Sequence, residues 1–156
     1  AHPEPASYYG ALTEAAETTL EHQGGTVTTS DLQGSSFDPV ESARHYADRA
    51  QSHRFSPLAE QRHAWHADSL PEDVLKEIGN LERADLVILQ FPLWWHGPPA
   101  ILKGWMDRVF VYGALYDHDY RYGTGRLKGR RAMCVVTMGA RKNDFKADGI
   151  QTHLSR

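Results

Sequence analysis

The chain has 156 residues and a mass of 17.6 kDa, enough for one domain and one core. Apolar residues make up 40% and charged residues 24%, with a mean hydropathy of -0.56, which excludes wholesale disorder. No run approaches the roughly 18 uninterrupted apolar residues of a membrane span, so an integral membrane protein is not expected. The opening AHPEPASYYG has none of the basic, apolar and small-residue sections of a signal peptide, and the sequence reads as cytoplasmic. The single cysteine, Cys134, excludes an internal disulfide; its place in the apolar run AMCVVTM marks it as a buried, inert thiol. Net charge is -3, spread unevenly: residues 1–90 hold 6 Lys/Arg against 15 Asp/Glu, and residues 91–156 hold 11 against 5. An acidic chain is no general nucleic-acid binder. Its basic second half either attracts an anionic partner such as a phosphate-bearing cofactor or is neutralised by the first half in the fold.

In chain order, residues 10–23 place Leu12, Ala15, Ala16 and Leu20 at helical spacing among Glu14, Glu17 and Glu21, and Gly24-Gly25 ends the run. Residues 26–32 (TVTTSDL) are short and rich in β-branched side chains, the pattern of a strand. Residues 33–70 lose sustained periodicity and read as a long excursion with short helical turns. Ser69 with Glu72 three positions on, and Pro71 between, is a capping signature for a helix whose face is Val74, Ile78 and Leu81. The run from Asp85 to Leu93 is almost continuously apolar, as in a parallel strand covered on both faces. Pro98-Pro99 opens a further helix with Ile101, Leu102, Trp105, Val109 and Phe110 apolar, and residues 131–137 (RAMCVVT) form another buried strand. This alternation is that of a doubly wound α/β sheet.

In such sheets ligands bind at the carboxyl ends of the strands, which selects the segments 2–9, 91–98 and 137–151 and predicts that they share one edge. The Pro-Leu-Trp-Trp-His-Gly stretch offers flat aromatic faces and backbone donors suited to a planar heteroaromatic cofactor, although Trp94 and Trp95 also suit a core or an interface. Glycines 123, 125 and 129 precede a strand and so read as turns rather than a dinucleotide fingerprint. His2 and Ser7 stand before the first helix, where they either cap it or hold phosphate. His63, His66 and His96 have no accompanying metal-ligand pattern; a zinc-binding structural domain is the reading they would otherwise support.

The segments AHPEPASYYGAL, SDLQGSSFDPV and above all ADLVILQFPLWWHGPPAILKGWMDRVF resemble the flavodoxin-like NAD(P)H:quinone dehydrogenases, a group that includes DT-diaphorase and the ancillary flavoproteins of bacterial potassium-efflux systems. The resemblance implies a flavodoxin-like doubly wound parallel sheet and a bound flavin, usually FAD, with FMN as the alternative. It further implies two-electron reduction of a quinone or similar acceptor by NADPH or NADH, in a homodimer with sites at the interface. By position it places His2, Ser7 and Tyr8 around the flavin pyrophosphate, Pro92, Leu93, Trp94, Trp95 and His96 against the isoalloxazine, and Thr137 and Gly139 at the start of the third flavin loop. Tyr112 and Tyr116 fall in the acceptor pocket.

Several positions depart from that pattern. Tyr9 stands where the family has Asn, and Met138-Ala140 interrupts the usual Thr-Thr-Gly-Gly. Phe145 and Gln151 stand where the family's Tyr and His support charge on the reduced flavin; Gln151 can donate a hydrogen bond but cannot exchange a proton near neutral pH, and Phe145 can do neither. The amides of the 92–96 loop and of Gly139, with Trp95 as platform, are then the expected support. The chain also begins where the family's first strand ends and stops before a last strand and helix, so by resemblance the single domain 1–156 is incomplete at both ends. The alternative of another class is a non-catalytic regulatory flavoprotein bound to a membrane transporter. The basic cluster Arg126, Lys128, Arg130 and Arg131 either receives a 2′-phosphate or is a solvated strand flank.

Overall fold

A computed structural model of the chain describes residues 2–4 and 6–139. The first helix, α1, spans Tyr8–His22, and Ser7 caps it: its Oγ accepts the Gly10 N–H at 3.2 Å. The β-branched segment after it is not a strand. A strand needs a backbone partner, and among the described residues none lies beside it. Side chains hold it instead. Ser30 Oγ donates to Glu77 at 3.0 Å, Thr29 bonds Glu17, and Leu32 is buried in the core.

The excursion is more ordered than its sequence suggests. Asp31 Oδ1 accepts the amides of Gln33 and Gly34 to close a turn, a 3-10 turn covers Ala43–His45, and a full ten-residue helix, α2, spans Pro57–His66. Its buried positions are Glu60, Gln61 and Ala64, so it carries no apolar stripe to read. Glu60 is wholly buried, paired with Arg49 at 3.0 Å and accepting the Ala50 N–H at 2.7 Å.

Helix α3, Glu72–Arg83, buries Val74, Ile78 and Leu81 as the spacing predicts. Its N-cap is Pro71 with no side-chain cap bond; Ser69 turns back to the end of α2, its N–H donating to Ala64 O at 2.9 Å, and the capping signature does not form. Strand β1 is Leu86–Pro92, helix α4 is Ala100–Val109, and strand β2 is Arg131–Thr137. The two strands pair in parallel, from Leu86 opposite Arg131 to Pro92 opposite Thr137.

Side chains alternate along β1. Val87, Leu89 and Phe91 join the core built with α3 and α4, including Ile78, Leu102 and Trp105. On the opposite face, Gln90 donates to Tyr9 O at 3.0 Å and Thr13 Oγ1 at 2.7 Å, fastening α1. Helices thus lie on both faces of a parallel sheet, the doubly wound arrangement. At Gly104 an added Cβ would stand 2.0 Å from Pro39 O, so α4 approaches that backbone closer than any other residue allows.

The expectation of two fully covered strands holds for neither strand along its length. Only Phe91 and Pro92 of β1 are buried, and residues 131–134 of β2 are exposed. Cys134 is therefore exposed, not buried. The helices pack over β1, and β1 is the only described strand beside β2, which leaves the start of β2 uncovered. The two charged halves meet in ion pairs: Asp73 with Arg108 at 2.7 Å, Glu82 with Arg126, and Asp85 with Arg130 at 3.5 Å. Among the described residues no helix is long and apolar enough to cross a membrane.

Candidate functional site

Beyond β1 the chain makes a tight turn over Trp94–Gly97. Trp94 N–H donates to Gly97 O and Gly97 N–H returns to Trp94 O, both at 3.0 Å. The two central residues, Trp95 and His96, have φ of 50° and 63°. This left-handed pair is the geometry of a hairpin turn that favours Asn and Gly, and side chains as large as Trp and His are strained there. Strain of this kind concentrates at functional sites. Trp95 projects fully, 99% exposed, and Trp94 is half-exposed.

Two other segments meet this turn. Leu93 N–H donates to Thr137 O at 2.7 Å, joining the carboxyl ends of β1 and β2. The His2 ring stacks on Tyr9 with centroids 5.8 Å apart and meets Trp94 edge-on at 6.4 Å. His2 Nδ1 accepts the Glu4 N–H at 3.0 Å, which orients the ring. Burial pushes the Tyr9 phenol up to about 12 against an opposing hydrogen bond with Gln90, and Tyr9 stays protonated at neutral pH. These contacts bring His2, Leu93, Trp94 and Thr137 to one edge, with Pro92, Trp95 and His96 beside them in the chain; Ser7, Tyr8 and Gly139 flank the same segments in sequence, without a described contact to the turn. Phe145 and Gln151 lie outside the described residues.

The arrangement narrows which groups can hold a ligand. Pro92 has no N–H, and the amides of Leu93 and Trp94 are spent on Thr137 and Gly97, so the loop does not offer all its donors. Among the described hydrogen bonds, those of Trp95 and His96 are unused. Ser7 Oγ is occupied by its cap, while Tyr8 at the helix start is 75% exposed. At Gly139 nothing lies within 4 Å of where a Cβ would stand. A flat exposed indole and two amides without a described partner at the end of β1, with an uncrowded glycine just beyond β2, fit a planar cofactor such as a flavin.

Tyr112 and Tyr116 pack edge to face, 5.5 Å apart, beyond the carboxyl end of α4. Ten helical residues span about 15 Å, which puts the pair at the far end of α4 from the Trp94–Gly97 turn. One chain does not bring the tyrosines and the turn together. Tyr116 lines an open groove of about 740 Å³ with Pro57, Met106, Phe110 and Leu127, into which Glu41 also faces; burial raises the Glu41 carboxyl above its usual range, opposed by hydrogen bonds from Tyr46 and Gln61.

Sequence reading overlooked the supports of this region. Gln61 is buried in α2, accepting the Tyr112 N–H at 3.1 Å and donating to Asp107 O at 3.0 Å. Gln90 ties α1 to β1, and a polar residue inside LVILQFPL was its signal. His63 bonds Asp48 at 2.8 Å, and among the described residues no three metal-ligating side chains gather. Arg126 and Arg130 are paired with Glu82 and Asp85 near the amino ends of the strands, opposite the turn, which favours the strand-flank reading over a phosphate site.

A family model described as flavodoxin-like fold matches residues 1–155. The chain is 41% identical to a mouse ribosyldihydronicotinamide dehydrogenase [quinone] over 96% of its own length and 65% of the relative's. It is 36% identical to guinea pig NAD(P)H dehydrogenase [quinone] 1, over 99% of the chain and 57% of that protein. A crystal structure from Klebsiella pneumoniae, provisionally described as a quinone reductase, superposes with a TM-score of 0.86 at 34% identity, covering 97% of this chain and 61% of the other. The chain thus spans less than two thirds of the length of each.

Proposed function

The chain belongs to the flavodoxin-like family, and we propose that it forms the flavin-binding domain of a cytoplasmic NAD(P)H oxidoreductase that reduces quinones or similar acceptors by two electrons. The cofactor in this reading is FAD, with FMN as the alternative, and the donor is NADPH or NADH. The observation that carries the reading is the left-handed Trp94–Gly97 turn, which holds an exposed indole and two amides unused among the described residues at the carboxyl edge of a parallel sheet. The names of the relatives as quinone dehydrogenases support it; a regulatory partner of a transporter gains no support from them.

A bound flavin supplies reversible two-electron chemistry between a nicotinamide and an acceptor. The chain's own part is binding and electrostatics. Trp95 gives a flat apolar wall, the Trp95 and His96 amides are donors available to negative charge, and the His2 ring and the start of α1 are available to phosphate oxygens. Tyr112 and Tyr116 form the wall of the acceptor pocket. Because they lie at the far end of α4, they would reach the turn of a second copy rather than their own, which supports a homodimer with shared sites.

The test is the visible spectrum of purified protein loaded with FAD or FMN, followed by anaerobic NADPH or NADH and then a quinone. The reading expects a bound-flavin spectrum that bleaches with the donor and recovers with the acceptor. Folded protein that takes up neither flavin would overturn it.

A further inference from the structure

Helix α2 carries a feature that the proposed function does not use. The Arg62 guanidinium lies over the Tyr112 ring, 4.4 Å from its centroid. Arg62 is exposed and forms none of the ion pairs among the described residues, whereas Arg44, Arg49, Arg108, Arg126 and Arg130 each pair with a carboxylate. Its placement is fixed from several sides. The preceding residue, Gln61, accepts the Tyr112 N–H, and Gly113, at φ 93°, lets the backbone pass so close that a Cβ there would stand 3.2 Å from Arg62 Cγ. Tyr116 meets the same tyrosine edge-on, with its carbonyl accepting the Gly113 N–H at 2.8 Å.

We propose that Arg62 is a specificity-determining residue that makes the Tyr112 wall select anionic acceptors, aromatic quinones carrying a carboxylate, sulfonate or phosphate. This rests on the assignment of Tyr112 to the acceptor pocket. A ring beside Tyr112 would place an acidic substituent within reach of a planar guanidinium that lies over that tyrosine and has no ion-pair partner among the described residues. An opposite unit charge about 6 Å away at a half-exposed surface is worth roughly tenfold in affinity, and salt screens it.

The experiment compares flavin-loaded wild type, Arg62→Gln and Arg62→Lys with an uncharged naphthoquinone and its sulfonated counterpart. Equilibrium binding is read by quenching of intrinsic fluorescence and turnover by kcat/KM. Arg62→Gln should lose roughly tenfold in affinity and kcat/KM for the sulfonated ring, through KM, and stay within twofold for the neutral one. Arg62→Lys should recover part of the loss, and added salt should shrink the wild-type preference. Equal losses on both rings, or no loss on either, would overturn the proposal. The binding arm decides this even without turnover; failure to reduce even the neutral quinone is instead the failure of the oxidoreductase reading.

Discussion

The two ends of α4 solve opposite problems. At its amino end the Trp94–Gly97 turn leaves polar valence open: two amides with no partner among the described residues, a bare indole and two large residues in left-handed conformation. At its carboxyl end nearly every polar group is answered. Gln61 takes the Tyr112 N–H and the Asp107 carbonyl, Tyr120 Oη donates to the carbonyls of Gly113 and Ala114 at 2.8 Å, and Arg108 is buried against Asp73 and the Asp38 carbonyl. Buried polar groups demand partners, whereas a binding edge keeps them for its ligand. The turn end leaves backbone donors open, whereas the tyrosine end fixes its backbone and leaves the exposed Arg62 side chain open.

That contrast can be broken from either side. The largest effect is expected from Gln61→Leu, which takes the partner from the part-buried Tyr112 N–H and from the Asp107 carbonyl and should cost about 1–2 kcal/mol in urea unfolding. A loss below about 0.5 kcal/mol would mean the amide is no clamp. At the turn end, His96→Gly should stabilise the protein by about 1 kcal/mol, since Gly adopts positive φ without the strain the imidazole incurs. Calorimetry showing destabilisation would remove the argument that strain is stored there.

The smallest effect concerns Asp38, whose carboxyl the Arg44 guanidinium, with the Val40 amide and His45, holds well below the usual range. A lowered folded-state pKa contributes stability that is present above the unfolded-state pKa, about 4, and is lost as pH falls through the folded value. Asp38→Asn should therefore melt lower at pH 7, with the gap beginning to narrow as pH falls through about 4 and closing only below the folded-state value. A gap of unchanged size between about pH 5 and pH 2 would assign the effect to packing.

Much of this is legible in the amino-acid sequence. The apolar run of β1, the Val74, Ile78 and Leu81 face of α3 and the Pro-led α4 follow from periodicity, and the shared edge of His2, Trp94 and Thr137 follows from the parallel topology. Three features were not legible. Helix α2 buries Glu60 and Gln61, whose burial is made tolerable by partners distant in sequence, so no apolar stripe announces it. The β-branched segment 26–32 has strand composition but, among the described residues, no neighbour to pair with, and propensity cannot supply one. Cys134 sits in an apolar run whose exposure depends on what covers the strand, a tertiary fact. The left-handed turn was likewise hidden, because Trp and His are poor indicators of positive φ. Phe145 and Gln151 lie outside the described residues.

The most direct test of the central claim, that the Trp94–Gly97 turn seats the flavin, is flavin affinity by fluorescence titration of wild type, Trp95→Ala and Phe145→Ala. Because Trp95 is 99% exposed, its removal should leave the melting temperature of the flavin-free protein nearly unchanged. The account predicts that Trp95→Ala weakens flavin binding roughly tenfold, from the loss of one aromatic stacking contact, and more than Phe145→Ala does. Equal retention in the two variants, or wild-type affinity in Trp95→Ala, would contradict the placement of the flavin ring on that turn.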